Sequence, residues 1–269
     1  MQSRNFGLLC CLVAVLATPA ARAAEPSAES GDLVTAYRAC HALAQVRGIR
    51  TPLLSSMLGD KAAFQQIADR TTLLVQSPVV RASPSVMQVT SRIRRNSELL
   101  VSKQEVVLKT HDALRSIRKA APELLREAED LMVAELTADA PPQRVSAANQ
   151  LVMLTQRIGK SAAEMSTIDG VDPESVFLLG KDPKSFITLA KALRDGNTEL
   201  RLTPAKGANP KQRLTNLLQK FEPTRLDSEA LLSTLQDLVA AREAQAKLLA
   251  DTLALERVLD PHCQSMAQQ

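Results

Sequence analysis

Residues 147–165 read AANQLVMLTQRIGKSAAEM, and residues 169–197 continue with DGVDPESVFLLGKDPKSFITLAKALRDGN. In the first string Leu151, Leu154, Ile158, Ala162 and Met165 recur at steps of three and four. That period places them on one face of an α-helix, a stripe that has to be buried against another element. Gln150, Met153, Arg157, Lys160 or Ser161, and Glu164 form a neighbouring stripe, polar apart from one thioether. Arg157 borders the apolar face, so its guanidinium is partly stripped of water and wants a carboxylate, a cage of carbonyls or an anionic ligand. An intraprotein partner, a bound ligand and an oligomer interface all meet that need, and the residue types leave the three open. Gln150, Met153, Gln156, Arg157 and Lys160 are accordingly the candidate ligand- or partner-binding residues.

The helical period extends outward. Residues 85–136 carry Val86, Val89, Ile93, Leu100, Val107, Leu114 and Ile117, then Leu124, Ala128 and Leu131. Residues 227–259 carry Leu231, Leu235, Leu238, Val239, Leu248, Leu253 and Leu255. Good helix formers dominate between the breaks. Aromatic residues make up 2% of the chain and no apolar/polar alternation is sustained, so strands are not expected. The prolines, among them Pro52, Pro122, Pro183, Pro223 and Pro261, read as breaks, with Pro122 kinking or restarting its long stretch. The predicted fold class is all-α: elongated antiparallel helical bundles, two stacked modules of four-helix type. LGDKAAFQQI at residues 58–67 is similar to LGKDPKSFITL at residues 179–189, each ahead of a long amphipathic helix. A duplication follows from that reading, with a first module over residues 24–140 and a second over 141–269. A generic helix-start pattern is the alternative.

The N-terminus reads as an export signal. Arg4 precedes an uncharged apolar run at residues 6–16, Pro19 breaks it, and Ala21-Arg22-Ala23 offers the small residues a signal peptidase needs. The run is shorter than the roughly 20 apolar residues of a membrane span. Residues 1–23 are thus expected to be a signal peptide cleaved after Ala23, delivering the chain to the periplasm. Cleavage removes two arginines and no acids, which lowers the net charge from +4 to +2. Cys10 and Cys11 leave with the peptide, while Cys40 and Cys263 remain near the two ends. In an oxidising compartment the expected outcome is a Cys40–Cys263 disulfide. Two free thiols, or a metal site with His41 and His262, are the rivals.

Several chemistries lack their residues. With no Trp, one Tyr and no basic cluster among aromatics, nucleic-acid binding is not expected. His41, His111 and His262 form no pair at metal-ligand spacing, and no phosphate loop, dinucleotide fingerprint or nucleophile elbow is present. The carboxylates mostly lie near Lys or Arg on helix faces, as Glu164 does with Lys160. The reading is therefore of a non-enzymatic protein without cofactor.

Residues 151–160 (LVMLTQRIGK), followed by Val176-Phe177-Leu178-Leu179-Gly180-Lys181-Asp182 and Phe186, resemble the periplasmic sensor region of PilJ-type transducers. These are the type IV pilus methyl-accepting chemotaxis proteins, related to NarX-type nitrate sensors. Residues 59–64 and the helix around residues 96–114 look like the first half of that region, with Ala44-Gln45-Val46-Arg47 as a trace of the Gln-Arg motif. The resemblance implies stacked four-helix modules and a sensor role in pilus- or chemotaxis-related signalling. It implies a small ligand, a membrane-anchored transducer or a pilus-related protein as partner, and leaves a homodimer open. The transducers continue into a membrane helix and a cytoplasmic signalling domain that this chain is expected to lack, which makes it a stand-alone version. In the nitrate sensors an arginine shortly before the position of Arg157 helps to hold the anion, and Val152 stands at the corresponding place here. A periplasmic scaffold without ligand and a nitrate-like anion-binding protein are the alternative functions.

Overall fold

The computed structural model describes residues 28–167 and 171–264. The signal peptide read at residues 1–23 lies outside the described residues. Nine α-helices account for nearly all of the described chain. They are α1 (Ala28–Ser56), α2 (Lys61–Gln76), α3 (Pro78–Ala82), α4 (Pro84–Ser102) and α5 (Gln104–Thr137). They continue with α6 (Pro142–Met165), α7 (Pro173–Asp195), α8 (Ala208–Ser233) and α9 (Leu235–Gln264). No described helix is long and apolar enough to cross a membrane. The only β pairing among the described residues is an isolated bridge between Asn197 and Leu202, in the α7–α8 connection.

Local chemistry sets many of the helix starts. Pro78, Pro84, Pro142 and Pro173 occupy first helical positions, where a missing N–H costs nothing and the fixed φ suits the helix. Asp60 caps α2 by accepting from the Ala62 N–H at 3.0 Å, and Asp172 caps α7 by accepting from the Ser175 N–H at 2.7 Å. Gly59 ends the α1–α2 turn at φ +88°, and the His111 imidazole packs so closely on it that a Cβ there would collide.

Five prolines depart from the expectation that they mark breaks. Pro52, Pro122, Pro183, Pro223 and Pro261 all lie inside helices, and Pro122 does not restart α5. An internal proline costs on the order of 3 kcal/mol. Burial on either side outweighs it: Ile117 and Leu124 flank Pro122 and are almost wholly inaccessible. The long periodic stretches break instead at Lys103 and Thr234, which carry no Pro or Gly signal. There the backbone relaxes to φ −97°, ψ 9° and φ −108°, ψ 8°, and each N–H turns to a carbonyl three residues back, Leu100 O and Leu231 O. Val239 and Leu253, read as part of an apolar stripe, face solvent.

The helices build two four-helix bundles. In one, α1 packs on α2 and α9, and α4 packs on α2 and α9. Its core includes Val46, Ile49, Phe64, Ile67, Ile93, Leu248 and Leu255. In the other, α5, α6, α7 and α8 form a ring around Leu151, Ile158, Phe186, Leu193, Leu214 and Phe221. Phe186 and Phe221 stack with centroids 4.0 Å apart. The chain passes between bundles twice, from α4 to α5 at Lys103 and from α8 to α9 at Thr234. Lys103 Nζ bonds Asp237 Oδ1 at 2.6 Å and ties the two crossings together. Each bundle is thereby completed by a helix that follows a crossing, so the cores do not divide the chain into consecutive halves. Of the two similar segments, each sends a wholly buried phenylalanine, Phe64 or Phe186, into a different core. Their settings differ: Gly59 precedes α2, whereas Gly180 lies within α7 and starts no helix.

Candidate functional site

Helices α6 and α7 run antiparallel and bring the two quoted strings side by side. Arg157 on α6 donates from Nε to Oδ2 of Asp182 on α7 at 2.8 Å, and from Nη2 to Oδ1. Asp182 is wholly buried, whereas the Arg157 side chain keeps 44% of its exposure. The hydrogen bond to Asp182 raises the pKa of Arg157 above the usual guanidinium value. Two turns along, Ser175 Oγ donates to Glu164 Oε2 at 2.8 Å. Asp172, just beyond, is held below the ordinary carboxylate range by hydrogen bonds from Ser175. The carboxylate that Arg157 needs is thus supplied by the protein, at the aspartate of the second string.

The other candidates lie on the outer face of α6. Gln150, Gln156 and Met153 are exposed, and Lys160 makes an exposed pair with Glu164 at 3.5 Å. None of these residues lines the cleft of about 1010 Å³ beside Glu135 and Arg144 or the cleft of about 260 Å³ beside Thr71 and Ser97. Cys40 and Cys263 form a disulfide, with Cα atoms 4.8 Å apart, joining α1 to the end of α9. No group of three or more potential metal ligands gathers among the described residues.

A second polar centre escaped the sequence reading. Arg144, in the first turn of α6, donates from Nε to Glu135 Oε2 at 2.8 Å and from Nη2 to Glu135 Oε1. Its Nη1 donates to the carbonyls of Leu193, at 2.9 Å, and Thr203. Both side chains are almost entirely buried. One arginine therefore pins the end of α5, the end of α7 and the α7–α8 connection together. A signal for it existed. Arg144 is in register with Ala148, Leu151 and Ile158, Glu135 with Leu124, Ala128 and Leu131, and Asp182 with Leu179, Phe186 and Leu189. A charge in core register has to be paired when buried.

Arg144 and Glu135 stand at the back of a cleft of about 1010 Å³ between the end of α5 and the start of α8. It lies at the tip of the second bundle, away from the first bundle and from the disulfide. Elsewhere, Arg242 on α9 has Nε and Nη1 buried without a partner among the described residues, and burial lowers its pKa.

No protein-family model matches the chain. It is similar to the protein PilJ of Pseudomonas aeruginosa, 25% identical over 144 residues, which is 54% of this chain and 21% of that protein. The chain thus spans about a fifth of the length of the curated relative it matches. That identity, over half of an all-helical chain, supports a PilJ-like relationship.

Proposed function

We propose that the chain is a non-enzymatic, PilJ-like sensor or binding module of the periplasm. It acts through a small ligand or a membrane-anchored partner in pilus- or chemotaxis-related signalling. The observation that carries this reading is the partial identity to PilJ, set on an all-helical fold of two four-helix bundles. Helix packing, rather than bond-making chemistry, would carry the signal. The Arg157–Asp182 pair supports the reading in one respect: it joins the two strings on which the resemblance rests.

A nitrate-like anion site at Arg157 is the weaker reading. Asp182 already holds the Nε–Nη2 edge of the guanidinium and neutralises its charge, so an anion at the remaining Nη1–Nη2 edge would meet little net positive charge. A scaffold role without ligand is the remaining alternative.

A pull-down of the mature protein from periplasm and inner membrane, with Arg157→Ala as control, tests the proposal. Recovery of a transducer or pilus component is expected. Recovery of neither, in repeated captures, would sink the signalling reading and leave the scaffold. Cell fractionation with mass spectrometry of the mature N-terminus tests the address, and Ala24 is the expected first residue.

A further inference from the structure

Helices α5 and α8 run antiparallel, and their facing side chains can be read as rungs. On the rung nearest the bundle centre they are locked: Lys220 on α8 donates to Glu123 at 2.9 Å and to Glu127 at 2.6 Å, both on α5. Towards the tip the same helices present Arg213, two turns before Lys220, and Asp130, about one turn beyond Glu127, charges of opposite sign. Both line the 1010 Å³ cleft. Among the described residues neither forms an ion pair or side-chain hydrogen bond. No pair between Arg213 and Asp130 continues the Lys220 lock, and both charges are left to the cleft.

The cleft that results has three zones. Arg213 and Lys206 give the α8 side positive charge, and Asp130 and Asp139 give the α5 side negative charge. Between them lie Leu131 and Leu217, buried against the core. The Arg144–Glu135 pair behind them satisfies itself, so it adds rigidity without asking for a ligand. Opposed charges that face one cleft without meeting are complementary to a molecule that carries both signs with an apolar body between them. A carboxylate would sit with Arg213, whose planar fork favours it. An ammonium would sit with Asp130. The volume is at the upper end of the roughly 300–1000 Å³ typical of pockets for drug-sized ligands, which is more than one free amino acid needs.

We propose that the tip cleft of the second bundle binds a short zwitterionic peptide with free termini. The inference deepens the sensor reading by naming its ligand class and site, and it rests on that reading only for its biological meaning. The test uses the purified chain and a pool of free-ended tripeptides with apolar side chains. After equilibration and ultrafiltration, retained peptides are identified by mass spectrometry. Retention is expected for the unmodified chain and is expected to fall about tenfold or more in Asp130→Ala and in Arg213→Ala, the effect of losing one charge-assisted hydrogen bond. Arg213→Lys should retain part of it. Both positions are exposed, so helicity and melting of the variants should match the parent. The same pool with acetylated N-termini and amidated C-termini should pass through. Loss of the free-ended pool in the parent chain, or equal retention of the blocked pool, overturns the proposal. Retention of free amino acids in place of tripeptides overturns the peptide assignment. A negative result here leaves the pull-down untouched, so failure of the ligand class and failure of the signalling role are read separately.

Discussion

Arg157 grips Asp182 through the Nε–Nη2 edge of its guanidinium, and the aspartate it grips is wholly buried while the arginine stays half in water. The asymmetry decides what substitution does. Arg157→Ala strands a buried carboxylate without its cation, a loss on the order of 3 kcal/mol. Arg157→Lys keeps the charge and loses the fork, so it should fall between. The double change Arg157→Met with Asp182→Leu should recover most of the stability. Urea unfolding of the parent, Arg157→Met, Asp182→Leu and the double variant as a double-mutant cycle checks the coupling, and simple additivity would refute it.

The Glu135–Arg144 pair predicts a larger effect, since both partners are buried and Arg144 also holds two backbone carbonyls. Glu135→Ala should cost about 3–5 kcal/mol. Arg144→Met should also free the Leu193 and Thr203 carbonyls and loosen the α7–α8 connection. Hydrogen exchange should then accelerate around residues 193–207 while the first bundle stays protected. Uniform acceleration over both bundles would contradict the local role.

Reduction should destabilise the chain. The disulfide closes a loop between residues separated by 223 positions, for which the chain-entropy relation gives up to about 5 kcal/mol. Melting with and without reductant measures the loss. Alkylation mapped by peptide mass should modify Cys40 and Cys263 only after reduction, and modification beforehand would show free thiols.

Acid stability should depend on a set of depressed carboxylates. Asp172, hydrogen-bonded by Ser175, and Glu123, hydrogen-bonded by Lys220, both titrate below their ordinary values of 3.8 and 4.5. A folded-state pKa below the unfolded one adds stability that is complete above the unfolded value and disappears as pH falls through the folded one. The melting temperature should therefore be flat above about pH 5 with respect to these groups and drop below pH 4.5. Asp172→Asn keeps a cap acceptor but cannot titrate, so its acid decline should be shallower. An unchanged slope would remove Asp172 from the account.

Arg242 runs the other way. Two of its buried nitrogens lack partners among the described residues, so the charged group is a cost to the fold. Arg242→Met keeps the packing stem and removes that cost, and should raise stability by roughly 1 kcal/mol. A lower melting point would show that the guanidinium has an unseen partner.

Much of this was legible in the chain itself. Steps of three and four named the buried faces, as at Leu151, Ile158 and Met165. Two cysteines in a chain expected to be exported named the disulfide. The internal prolines misled, because a proline signal reports a local backbone cost and says nothing of the burial that outweighs it. Lys103 and Thr234 gave no warning, because those breaks come from the passage between bundles rather than from the residues that stand there. Periodicity alone determined that these helices must each bury a face. Only the tertiary structure decided which face meets which: that α9 returns to α1, that Asp182 is the partner of Arg157, and that Asp130 on α5 and Arg213 on α8 line one cleft. A helical stripe fixes an angle around its own axis and holds no information about the neighbour, whose identity depends on contacts between residues far apart in the chain.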